Sequence, residues 1–122
     1  MSVVDLTTTN LESTVTGNDI VMIDFWAPWC GPCQTFKPVF HAAAERHPEV
    51  TFAACNTDQQ SELGAMFQIR SIPTLVVFRD QIPIFSQPGM APAAALDDLI
   101  EKVQALDMDD VRQKMEAQTA SA

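Results

Sequence analysis

Cysteine is scarce in this chain, with three among 122 residues. Only two of them are closely spaced, which argues against a secreted scaffold held by several disulfides. Basic residues are scarce as well. Seven Lys and Arg stand against sixteen Asp and Glu, a formal net charge of −9. That balance argues against nucleic acid or an anionic membrane surface as a partner. No apolar run approaches the roughly 20 residues of a membrane span. Met1-Ser2-Val3-Val4-Asp5 lacks a basic stretch followed by an apolar core, so no signal peptide is expected and a cytoplasmic protein is the simplest reading. What the chain does have is enough to fold: 47% of its residues are hydrophobic, in a length suited to one domain with a modest core.

The pattern of apolar residues describes alternating elements. Val3-Val4-Asp5-Leu6 reads as a short strand, and Asn10 is placed to cap a helix through Val15 that stops near Gly17. Ile20 to Trp26 is apolar almost throughout, as in a strand covered on both faces. A helix from Cys33 carries Phe36, Val39, Phe40, Ala43 and Ala44 at the spacing of one buried face. Val50 to Cys55 is the next strand. Asp58 is placed to cap a short helix with Leu63, Met66 and Phe67. Thr74 to Phe78 and Ile82 to Phe85 are strands joined by the tight link Arg79-Asp80-Gln81, hence antiparallel. Pro83 pushes the second of these to a sheet edge. Ala93 to Leu106 is a helix with Leu96, Leu99, Ile100, Val103 and Leu106 on one face. The order predicts an α/β fold, a central mixed sheet with helices on both faces. Residues 1–106 form the main domain. Residues 107–122 form a C-terminal extension, a short helix capped by Asp107 or Asp109 with Val111 and Met115 inward, frayed or partly docked.

The chemistry concentrates in Trp29-Cys30-Gly31-Pro32-Cys33. Two cysteines three apart at a helix start can form and break a disulfide across one turn. Free N–H groups and partial positive charge at the helix N-terminus stabilise a thiolate. Cys30, just ahead of the helix, is expected to be exposed and to attack a partner's disulfide. Cys33, one turn in, is expected to be shielded and to resolve the mixed disulfide. Pro32 fixes the first turn, and Gly31 leaves the approach to the sulfur clear. Asp24 is a lone carboxyl in an apolar strand that leads to this loop. Burial raises a carboxyl's pKa, which suits a general base for Cys33. The alternative is a carboxyl tied to nearby backbone or hydroxyls. Ser71-Ile72-Pro73 places a proline directly before a strong strand, a candidate cis peptide that the sequence pattern alone does not decide.

Asp24 to Cys33, together with Ile69-Arg70-Ser71-Ile72-Pro73-Thr74, resembles the thioredoxin family over roughly residues 3 to 104. The resemblance implies a five-stranded mixed sheet flanked by four helices, followed here by an extra helical tail. It implies a thiol–disulfide oxidoreductase that reduces protein disulfides, with Cys30 as nucleophile, Cys33 as resolving cysteine and Asp24 as buried acid/base. It implies that Pro73 is cis and that Trp29, Ser71, Ile72, Pro73 and Gly89 form a shallow groove for an extended client segment. No cofactor beyond the redox-active Cys30–Cys33 disulfide is implied. The partners implied are a thioredoxin reductase and disulfide-bearing clients, with the chain acting as a monomer.

The chain departs from the family pattern in its charges. Many members carry a lysine one strand from the buried aspartate, where this chain has Ala54, so Asp24 is expected to titrate higher than in those relatives. Gln34 stands where a basic residue is usual. A zinc site would need two further ligands. Cys55 reads as a small buried hydrophobe on its strand. His41 lies eight residues beyond Cys33, about 12 Å along the helix, and is expected to point away from the Phe36 face. His41 and His47 therefore read as helix-surface or helix-end residues. The competing functional class is a binding module or co-chaperone that acts through the groove or the tail.

Overall fold

In the computed structural model, residues 3–121 are described, with side chains through residue 118. Met1, Ser2 and Ala122, part of the N-terminal and tail readings, lie outside the described residues. Along the chain run β1 (Val3–Asp5), α1 (Leu11–Thr16), β2 (Ile20–Trp26), α2 (Gly31–Arg46), β3 (Thr51–Asn56), α3 (Ser61–Met66), β4 (Thr74–Arg79), β5 (Ile82–Pro88), α4 (Ala93–Gln104) and α5 (Met108–Ser121). The sheet order is β1-β3-β2-β4-β5. β1, β3 and β2 run parallel, and β4 and β5 are antiparallel additions. The expected five-stranded mixed sheet is therefore present, with five helices.

β2 is apolar throughout because it lies at the sheet centre and is covered on both faces. Alternation sends Ile20 and Met22 to one face, against Phe36 and Phe40 of α2 and Leu96, Ile100 and Val103 of α4. Val21, Ile23 and Phe25 go to the other, against Leu6, Leu63 and Phe67. Aromatic contacts join the layers, Phe40 to Phe52 at 5.1 Å and Phe67 to Phe78 at 5.7 Å between centroids. By the same alternation Asp24 falls on the face that α2 covers.

The turn between β4 and β5 is two residues, Asp80 and Gln81, both with positive φ (51° and 70°). That backbone twist matches the strands it joins. Pro83 lies on the outer strand, where its missing N–H leaves no central ladder bond unmade.

Two helix starts differ from expectation. Asn10 occupies the position before α1 but does not cap it. Its side chain instead accepts from the Thr7 N–H at 2.7 Å and donates to the Asp5 carbonyl at 2.8 Å, bracing the turn that leaves β1. Asp58 does not cap α3, which begins after Gln60. Asp107 is the cap of α5, its Oδ1 accepting from the N–H groups of Asp109 and Asp110 at 3.1 and 3.2 Å. Met108 is buried at 7% exposure, and Arg112 pairs with Asp80 in the β4–β5 turn at 3.0 Å. Met115, expected inward, is instead 43% exposed.

Candidate active site around Cys30 and Cys33

The end of β2 delivers the chain into a short loop, and α2 begins one residue past Cys30. Cys30 is the N-cap of α2, with extended backbone, and Pro32 lies in the first turn. Its Sγ accepts from the Cys33 N–H at 3.2 Å. This is the donor geometry that stabilises a sulfur anion at a helix N-terminus. Cys30 and Cys33 are joined as a disulfide with Cα atoms 5.2 Å apart. Gly31 is exposed, and a methyl group placed on it would meet nothing within 4 Å.

Cys30 was expected to be exposed, and the structure corrects this: Cys30 is 4% exposed and Cys33 2%. Two things cover Cys30. Its sulfur is bonded to Cys33, and the Ile72 carbonyl lies 3.7 Å from Sγ. With no S–H on a paired sulfur, that approach is a contact. The Ile72–Pro73 peptide is cis, and this loop sits directly before β4. Thr74 Oγ1 donates to the Ser71 carbonyl at 2.6 Å. The Gly89 N–H donates to the Pro73 carbonyl at 2.8 Å, and Gly89 has a φ of 97°, which favours a residue without a side chain. Ser71, Ile72, Pro73 and Gly89 therefore form one hydrogen-bonded ledge beside the cysteine pair.

Trp29 is 72% exposed. Its Nε1–H donates to Asp58 Oδ1 at 3.2 Å. Sequence reading missed this role for Asp58, since nothing in local spacing links positions 29 residues apart. Gln34 donates to the Pro28 carbonyl at 3.3 Å and brings no charge to the loop.

Asp24 lies behind the pair, 4% exposed. Burial pushes its carboxyl up from the ordinary aspartate range to about 7. Among the described residues no partner reaches its Oδ1, which counts against a carboxyl tied to local backbone or hydroxyls. A cavity of about 110 Å³ opens beside it, lined by Asp24, Cys33, Ala54, Asp5, Lys37 and His41, among others. His41 is a surface residue, as expected, and it also lines the cavity that reaches Asp24 and Cys33. The available signal was the spacing Cys33, Lys37, His41, one stripe of α2 at i, i+4, i+8. His47 ends α2, with Nε2 2.7 Å from Asp97 on α4. Cys55 is buried, its thiol pushed up to about 11 by desolvation. Among the described residues no group of three or more His, Cys, Asp or Glu is placed to hold a metal ion.

The family model for thioredoxin matches residues 2–102. The chain belongs to the thioredoxin family. A putative thioredoxin 2 from Streptomyces coelicolor is 50% identical over 121 residues, covering 99% of this chain and 90% of that protein. A thioredoxin from Porphyra purpurea is 38% identical over 104 residues, covering 84% and 97%. Among solved structures, a mutant thioredoxin from Halobacterium salinarum NRC-1 superposes with a TM-score of 0.77 at 36% identity, over 85% of this chain and 90% of that one. The family model stops before α5, whereas the match to the Streptomyces relative takes in all but one residue of this chain. The protein is a thiol–disulfide oxidoreductase of the thioredoxin type. Among the described residues, no helix is long and apolar enough to cross a membrane.

Proposed function

We propose that the protein is a general reductant of protein disulfides in the cytoplasm, carrying electrons from a thioredoxin reductase to client disulfides as a monomer. Cys30 is the nucleophile. The observation that carries this is its place at the N-cap of α2, with the Cys33 N–H aimed at its sulfur. The thiolate attacks a client disulfide and forms a mixed disulfide. Cys33 then attacks Cys30 Sγ and the client leaves reduced. Asp24 takes the Cys33 proton, a role that its buried carboxyl titrating near 7 supports. The Cys30–Cys33 pair is the only redox group the cycle uses, and no separate cofactor takes part.

The client lies in extended form across Trp29, Ser71, Ile72, Pro73 and Gly89. The ledge beside the cysteines supports this, since the Ile72 carbonyl lies 3.7 Å from Cys30 Sγ and Ser71 and Gly89 are exposed on either side. Asp58 holds the Trp29 ring at one side of that groove.

The test is insulin disulfide reduction with NADPH and a thioredoxin reductase. The unaltered chain turns over. Cys30→Ser falls to background, and Cys33→Ser accumulates a covalent client adduct on Cys30. Activity retained by Cys30→Ser would sink the assignment.

A further inference from the structure

β1, β3 and β2 set three residues side by side. Asp5 pairs with Ala54 across β1 and β3, and Asp24 pairs with Ala54 across β2 and β3. Such neighbours project to the same face, on strands about 4.8 Å apart. Two carboxyls thus flank one methyl group. The space a longer side chain at position 54 would take is open, and it belongs to the cavity of about 110 Å³ beside Asp24. That is room for several waters, each about 30 Å³ in the liquid. The buried Asp24 Oδ1 has no partner among the described residues, and Cys33 lines the same space. Asp5, Lys37 and His41 also line it and are exposed to solvent. The cavity therefore joins the buried acid to the surface.

We propose that this cavity is the route by which the proton taken up by Asp24 reaches bulk solvent, and that His41 at its mouth is the relay. The inference rests on the reading of Asp24 as the base for Cys33. The titratable groups facing the cavity are Asp5 from β1, and Cys33, Lys37 and His41 from α2. β3 contributes Ala54, and β4 sets Leu75 opposite Asp24. Lys37 Nζ rests 5.5 Å from the Trp26 ring centroid. Of the side-chain types at the mouth, imidazole alone takes up and gives up a proton near neutral pH.

The step balances as follows. Cys33 gives its thiol proton to the Asp24 carboxylate and attacks Cys30 Sγ. The Cys30–client bond breaks, the client sulfur leaves with the electron pair, and the Cys30–Cys33 bond forms. The dithiol is oxidised by two electrons and the client disulfide is reduced. The Asp24 proton passes through cavity water to His41, and His41 releases it to solvent. His41 acts through Asp24 and touches neither cysteine nor client.

The experiment is a stopped-flow single turnover of the reduced full-length chain with a chromogenic aromatic disulfide, in dilute, weakly basic buffer near pH 7. Attack by Cys30 releases the first aromatic thiol, and resolution by Cys33 releases the second. In His41→Gln the first release is expected to keep its rate. The second is expected to slow by about tenfold, less than the effect of removing a directly positioned acid–base group. Added imidazole should restore it. Ala54→Leu, which fills the route, should slow the second release without rescue by imidazole. An unchanged second release and pH profile in His41→Gln overturns the relay, as does a slowed release that imidazole leaves alone. Should Ala54→Leu fail to fold, the surface substitution at His41 still decides. If the unaltered chain released no second thiol, the fault would lie with Cys33 as the resolving residue and not with His41.

Discussion

One buried carboxyl makes the stability of the fold depend on pH. Asp24 titrates near 7 in the folded chain because burial disfavours its charged form. Unfolded, it returns to the ordinary range near 3.8. Below that range both states hold the proton and the fold loses nothing. Between it and about 7 the unfolded chain releases the proton first, so stability falls as pH rises. Above 7 the full cost applies, about 4 kcal/mol by linkage. Asp24→Asn should therefore be more stable than the parent at pH 8, by up to that amount, and nearly equal at pH 4. Urea unfolding at the two pH values measures this. The same substitution should slow disulfide reduction. Ala54→Lys would set an ammonium between Asp5 and Asp24 and should draw the Asp24 carboxyl back down. An NMR titration of that carboxyl in the reduced protein reads the shift, and an unmoved value would refute the account. Asp24 was legible because a charge inside an apolar strand stands out. His41 and Asp58 were not. The contact of His41 depends on the packing of α2 on the sheet, and that of Asp58 on a loop folded back towards Trp29.

Helix starts show how elements acquire function. The N-cap of α2 is a cysteine, so the backbone N–H that an ordinary cap side chain would satisfy donates instead to a redox sulfur. The end of α2 is tied to α4 through Arg46 and His47, both paired with Asp97 at 2.9 and 2.7 Å. These contacts hold the carboxylate of Asp97 below its usual range, His47 contributing most and Arg46 next. α5 is held differently. Met108 fills a buried position and Arg112 makes an exposed pair with Asp80. Met108→Ala should cost about 2 kcal/mol through lost packing. Arg112→Ala should cost under about 1 kcal/mol, since exposed pairs contribute little. Denaturant midpoints separate the two, and equal losses would contradict this division. The main elements were legible from periodicity, since each long helix and central strand has one dominant apolar pattern. Their caps were harder to read, because Asn10 and Asp58 found better partners outside their own helices.

The molecule as a whole carries a net charge of −9, and Gln34 adds no positive charge beside the cysteines. Encounter with basic clients should be favoured. Their reduction should slow by roughly severalfold as the Debye length shrinks from about 30 Å at 0.01 M salt to about 8 Å at 0.15 M. Initial rates with a basic and an acidic client across that range test it, and parallel salt responses would contradict it. The sequence by itself determined the order of elements, the cysteine pair at a helix start, and a carboxyl without an ionic partner at position 54. These follow from local spacing and from the chemistry of individual side chains. Only the tertiary structure decided that Ile72 covers Cys30, that Asp58 holds Trp29, and that Ala54 leaves a cavity running from Asp24 to His41. Those relations join residues far apart in the chain, and they arise when strands register and helices pack on the sheet.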